Sequence, residues 1–167
     1  ADRDLNLDEI PIPEIASEDW VCWRGNERNG IATGALPPLE WDEKTNVLWK
    51  PKVPGHGHAS PILVGNRLFL ATAEEGKREA QSVIAFDRES GQELWQTTLH
   101  EENLPPTGQM HQKSSHASST LASDGAKLFA TFLNDGKIFA HALTLEGEKL
   151  WSTEVGGFSP KFGYAPS

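Results

Sequence analysis

The sequence predicts an all-β repeat fold built from four-stranded antiparallel units, and three observations carry that prediction. A Gly-x-x-x-Trp string, Gly91 to Trp95, returns as Gly147 to Trp151. An Arg/Lys-Leu-Phe strand start, Arg67-Leu68-Phe69, returns as Lys127-Leu128-Phe129, each time behind a hairpin-type turn, Gly65-Asn66 or Asp124-Gly125. Trp49, Trp95 and Trp151 stand 46 and 56 residues apart, a spacing that suits a four-stranded propeller blade with a variable loop. A strand, a tight turn and a strand closing on Trp, repeated along a chain, is how a β-propeller or β-solenoid is written. Each repeat then buries its faces against its neighbours and does not fold alone.

Taken in order, residues 1–19 are polar, acidic and proline-bearing (Pro11, Pro13) and read as a flexible acidic arm. Residues 20–167 read as a partial propeller. It opens on a segment holding Trp20, Trp23 and Trp41, expected to plug an apolar seam at one end of the ring. Residues 46–99 form the first blade sequence. Residues 100–115 are a long polar connection, a length that is uncommon unless functional. Residues 116–155 form the second blade sequence, and 156–167 lead into a third. A closed ring of 4–8 blades at about 45 residues each needs roughly 180–360 residues. The expectation is therefore a chain covering two to three blades of a larger ring, completed by the remainder of the propeller or by further copies of the chain.

The Ala-x-Asp-x-x-x-Gly-x-x-x-Trp string at 85–95 resembles the tryptophan-docking repeat of the pyrroloquinoline-quinone-like (PQQ-like) β-propellers. The opening Trp20-x-x-Trp23-Arg24-Gly25, followed by Gly30, Leu36-Pro37, Trp41 and Asn46-Val47-Leu48-Trp49-Lys50, resembles the start of a bacterial subfamily of them. Val21 stands where that subfamily usually has Pro. The resemblance covers about 20–167. It implies a shape more than an activity, because propellers host many unrelated functions.

The physics of the repeat is structural. Gly91 and Gly147 provide a backbone free of Cβ where a hairpin turns with positive φ. Ala85 and Ala142 are small enough for another blade's side chain to approach. Trp95 and Trp151, with Trp49 before them, are expected to lie across blade seams, each offering an indole N–H to a backbone carbonyl.

Histidine is the functional lead. His56 and His58 stand at i and i+2, which project to one side of a strand. His111 and His116 precede the matching strand of the next unit, and His58 is aligned with His116. The two are expected to converge near the ring axis as candidate ligand contacts. Imidazoles with a carboxylate can hold a borderline metal, yet the sequence assigns no metal ligand, and hydrogen bonds to neighbouring backbone are the plainer role. His100 and His141 have no sequence partner and read as surface or satisfied residues.

Other motifs carry less. The Ser114–Thr120 cluster lacks a Gly-x-Ser-x-Gly elbow and reads as strand-start caps and packing. Asp124-Gly125 and Asn134-Asp135-Gly136 read as turns. Glu74-Glu75 and Glu101-Glu102 read as solvated loop faces. The single Cys22 excludes an internal disulfide.

The net charge of −9 argues against a nucleic-acid partner, which would want a basic stripe. No run approaches the roughly 20 apolar residues that span a bilayer. The opening Ala1-Asp2-Arg3 suits a mature extracytoplasmic (periplasmic or secreted) chain whose signal peptide has been removed, and equally a chain trimmed at its start. A quinoprotein oxidoreductase of the resembled family would bring a metal, an aspartate base, a stacking Trp and usually a vicinal Cys pair. The residues present do not support PQQ, and no cofactor is predicted. The expected function is a non-catalytic binding or protein-interaction scaffold, with a protein or glycan ligand. The alternatives are part of a quinoprotein-type oxidoreductase, or a polysaccharide-binding or polysaccharide-acting propeller.

Overall fold

In the computed structural model, residues 13–34, 36–76, 78–159 and 163–164 are described. Most of the acidic arm and half of the start of a third unit lie outside the described residues. The described residues form eight strands in two four-stranded antiparallel sheets. The first sheet, blade 1, holds β1 (Ile62–Val64), β2 (Arg67–Glu74), β3 (Ala80–Asp87) and β4 (Glu93–Glu101). The second, blade 2, holds β5 (Ala122–Ser123), β6 (Lys127–Asn134), β7 (Lys137–Thr144) and β8 (Lys149–Gly157). Strand order follows chain order in both, as a meander must when every link is a hairpin.

The turns follow from local chemistry. Gly65 at φ 57° opens the β1–β2 turn, and Asp135 and Gly136 at φ 47° and 68° make the β6–β7 turn, conformations that Gly and Asp reach most readily. Between β3 and β4, Asp87 Oδ1 accepts hydrogen bonds from the Glu89 and Ser90 amides and from the Ser90 hydroxyl. The Ser90 hydroxyl chiefly holds the Asp87 carboxyl below its ordinary value. A lowered folded-state pKa means the contribution is present above the unfolded value and lost as pH falls through the folded one. Asp87→Ala is expected to speed amide exchange at Glu89 and Ser90, with no change in the β6–β7 turn.

The Leu before each docking Trp has a role the repeat pattern hides. In blade 1 the register steps from Ala85↔Trp95 to Phe86↔Glu93, and in blade 2 from Ala142↔Trp151 to Leu143↔Lys149. Leu94 and Leu150 are the skipped residues, and both stay exposed, at 45% and 47%. A bulge of this kind kinks the strand and re-aims the next side chain. Here the next side chain is Trp.

One apolar cluster runs through both sheets, joining Ile62, Phe69, Val83 and Ala85 to Leu121, Leu128, Phe132 and Leu143. Its continuity across the seam is why neither blade is a separate unit. β3 is buried at Ala80 to Phe86, whereas only His141 to Leu143 of β7 are buried. Blade 2 covers blade 1, and no described residue covers blade 2 in the same way.

The opening segment plugs less than the sequence suggests. Trp20 bridges Leu63 on the free edge of β1, and buried Asp19 accepts the Gly65 amide at 2.7 Å. Trp23 and Trp41 are instead 45% and 70% exposed, and the buried residue this segment adds to the apolar cluster is Val21. Cys22 is half-buried, its thiol donating to the Gly25 carbonyl.

Candidate functional site

Two groups of residues carry the chemistry: the Trp–Gly docks at the seams, and a histidine–carboxylate group where the blades meet. In the first dock, Trp49 lies on Gly91, whose absent Cβ would fall 2.5 Å from the ring, and its indole donates to the Arg88 carbonyl at 2.9 Å. In the second, Trp95 lies on Gly147 with the same geometry at 2.6 Å and donates to the Leu145 carbonyl at 3.1 Å. Thr97 adds a hydroxyl bond to the Gly147 carbonyl, and Arg67 reaches the Leu145 carbonyl and Glu146. Ala85 and Ala142, opposite Trp95 and Trp151 in register, are fully buried. Trp151 occupies the third equivalent place, touches Phe129 and is 45% exposed.

The second group differs from the expected His58/His116 pair. His56 and His116 meet instead, each Nε2 lying 3.5 Å from the same Glu75 Oε1. Strand register explains the exchange. Ile62 and Ala122 hold equivalent places, opposite Phe69 and Phe129. His56 and His116 both stand six residues before them, so His56, and not His58, is the counterpart of His116. The segment also forms no strand at His58: His56 makes a lone bridge with Ala73, and Gly57 is wedged between the Ala117 and Ala71 carbonyls. His58 is exposed, and its amide donates to the Ala117 carbonyl and Ser115 hydroxyl. His111 is also exposed, and its Nδ1 accepts the Lys113 amide.

Glu75 is exposed in the loop after β2, as expected, and its carboxylate also joins the two rings. His116 is almost wholly enclosed, and burial lowers its pKa against the opposing pull of Glu75 and Glu79. Glu75→Gln removes one of the groups that raise it. The expected result is a further downward shift of the His116 titration, read by NMR, with Trp95 fluorescence unchanged.

Behind His116 lies a residue that sequence reasoning passed over. Gln81 on β3 is fully buried and donates to the carbonyls of His116 at 2.9 Å and Leu133 at 3.0 Å, while Asn134 reaches its Oε1 at 3.4 Å. Asn134 also donates to the Glu102 carbonyl, and the Asp135 amide to that of Asn103. Glu102 and Asn103, both left-handed at φ 63° and 57°, form the sharp exit from β4 that these bonds hold. The first part of the 100–115 connection is thus tied to the β6–β7 end of blade 2. Ser115 and Ser118 bond each other and the local backbone, as turn residues do.

His100 and His141, read from the sequence as surface or satisfied residues, face each other with Nε2 atoms 3.0 Å apart, and His141 is 1% exposed. No group of three His, Cys, Asp or Glu among the described residues converges as a metal site would require. The Trp49 and Trp95 rings are stacked against glycine turns, and Cys22 is the single cysteine of the chain. No helix among the described residues is long and apolar enough to cross a membrane.

Two tandem four-stranded antiparallel blades, chained by Trp-on-glycine docks, define the class as a propeller repeat protein. Residues 39–161 match the family model described as outer membrane protein assembly factor BamB, and the chain belongs to that PQQ-repeat family. No curated protein sequence matches the chain.

Proposed function

We propose that the chain contributes blades to an extracytoplasmic, non-catalytic propeller that binds other proteins as a rigid scaffold. The observation that carries this reading is what the chemically capable side chains do. Trp49, Trp95, Gln81 and His116 are all bound within the blades or their seam. A partner meets turns, loop faces and strand edges on a packed frame, with Trp23 and Trp41 among the exposed side chains. The family description, an outer membrane protein assembly factor, supports a protein ligand and a site outside the cytoplasm.

Biolayer interferometry on the immobilised chain tests this with three probes: an unfolded outer-membrane β-barrel polypeptide at low urea, a soluble glucan, and PQQ. Saturable binding of the polypeptide alone is expected. Retention of the glucan would favour a polysaccharide-binding propeller. Uptake of PQQ with a change in its absorption spectrum would favour a quinoprotein.

A further inference from the structure

We propose that His100 and His141 form a pH-sensitive clasp between the two blades, closed when neutral and forced open when both rings are protonated. The inference stands on seam geometry and is independent of the binding role.

The pair departs from the repeat at two complementary places. Aligning Ala85↔Trp95 with Ala142↔Trp151 puts Ile84 where blade 2 has His141, and Gly156 where blade 1 has His100. The same alignment puts Thr72 and Ser82 where blade 2 has Phe132 and Phe139. Neither histidine is part of the repeat, and the two meet only across this seam. A second strand irregularity makes the meeting possible. The β3–β4 register skips Leu99 between Ser82↔Thr98 and Gln81↔His100, so His100 faces blade 2 along with Trp95 and Thr97.

The surroundings set the chemistry. His100 lies 4.8 Å from the Phe139 ring and 6.4 Å from Phe132, centroid to centroid. Of the elements around the pair, β6 and β7 present those two phenyl rings, and β3 presents Gln81, paired with His100 through its backbone. β8 presents the Lys149 ammonium, which disfavours a proton on either ring. On β4 itself, Glu101 follows His100 but reaches Arg78 at 4.0 Å.

An Nε2-to-Nε2 hydrogen bond needs one proton between the two atoms. Neutral rings supply it when one carries its hydrogen on Nε2 and the other on Nδ1. One added proton keeps the bond as an imidazolium–imidazole pair. A second leaves two cations 3.0 Å apart in a half-apolar seam, and the strands must separate. Among the described residues His141 Nδ1 is buried without a hydrogen-bond partner, so no acceptor there offsets the charge. Burial pushes the His141 pKa down to about 4, and burial with Lys149 lowers that of His100. With both folded-state values below the ordinary one, the unfolded chain binds more protons between about pH 6.5 and 4. Stability conferred by the clasp is full above that window and is lost as pH falls through it.

The test is long-range 1H–15N NMR of the histidine rings in the full chain from pH 7.5 to 4, with amide hydrogen exchange corrected for its intrinsic pH dependence. One ring is expected to carry its neutral proton on Nε2, the other on Nδ1, and both are expected to titrate below the ordinary histidine range. Protection of β4 and β7 amides is expected to fall by up to about tenfold per pH unit for each proton taken up. His141→Ile, which installs the residue of the equivalent place in blade 1, should reduce that dependence to what buried His100 and His116 contribute alone, and His116→Gln should keep the share of the pair. Ordinary titration of both rings, or an unchanged dependence in His141→Ile, would overturn the proposal. Should His141→Ile not fold, the ring titrations of the unaltered chain decide alone.

Discussion

Gly147→Val is expected to destabilise the folded chain by about 3–4 kcal/mol. Two effects add at this position. Gly147 sits at φ +89°, where an L-residue pays about 1–2 kcal/mol and a β-branched one more. The new Cβ would also fall 2.6 Å from Trp95 Cδ2 and 2.7 Å from Cε3, with Thr97 Oγ1 at 3.0 Å. The ring must therefore leave its seat, losing its bond to the Leu145 carbonyl, and overpacking of this kind costs about 1–3 kcal/mol. Gly136→Ala separates the two effects. Its φ is +68°, but nothing lies within 4 Å of an added Cβ, so it should cost only the backbone strain, about 1 kcal/mol. Urea unfolding followed by tryptophan fluorescence measures both, and equal losses would show that the dock contributes nothing beyond the turn.

Gln81→Leu is expected to cost about 2–5 kcal/mol. The replacement is similar in size, so the loss is electrostatic and not a cavity. It strips the His116 and Leu133 carbonyls of their donor and leaves Asn134 with the Glu102 carbonyl alone. Each buried polar group left unsatisfied costs about 1–3 kcal/mol. The damage should reach past stability. With the His116 loop and the β6–β7 end both released, exchange is expected to rise at Ala117, Asn134 and Asp135 before it rises in β2. Hydrogen exchange resolved by residue shows whether the loosening begins there.

The docks were legible in the sequence because they repeat. Gly91 and Trp95 recur as Gly147 and Trp151, and a residue pair that returns at blade spacing declares a seam. Even there the pattern names the partners without naming the direction. Trp95 packs on the glycine of the following blade, and not on Gly91 four residues before it, as only the fold can show. The bulges at Leu94 and Leu150 were hidden because a register step is a property of two strands. The His58 expectation failed for a related reason. It assumed period-two projection in a stretch that Gly57 keeps out of the sheet, and it aligned the residues by their His-Ala-Ser text, not by strand register. The spacing to Ile62 and Ala122 would have selected His56. Gln81, and His100 with His141, gave no signal at all. Their partners lie 35 to 53 residues away across a seam, and each occurs once.

These blades are joined by a tryptophan of one unit seated on the glycine turn of the next. Indole N–H hydrogen exchange on the intact chain tests this most directly. The Trp49 and Trp95 indole protons, held by the Arg88 and Leu145 carbonyls, are expected to exchange slowly, and the 70%-exposed Trp41 rapidly. Gly147→Val should release Trp95 while leaving Trp49 protected. A Trp95 indole that exchanges as fast as that of Trp41 in the unaltered chain would contradict the account.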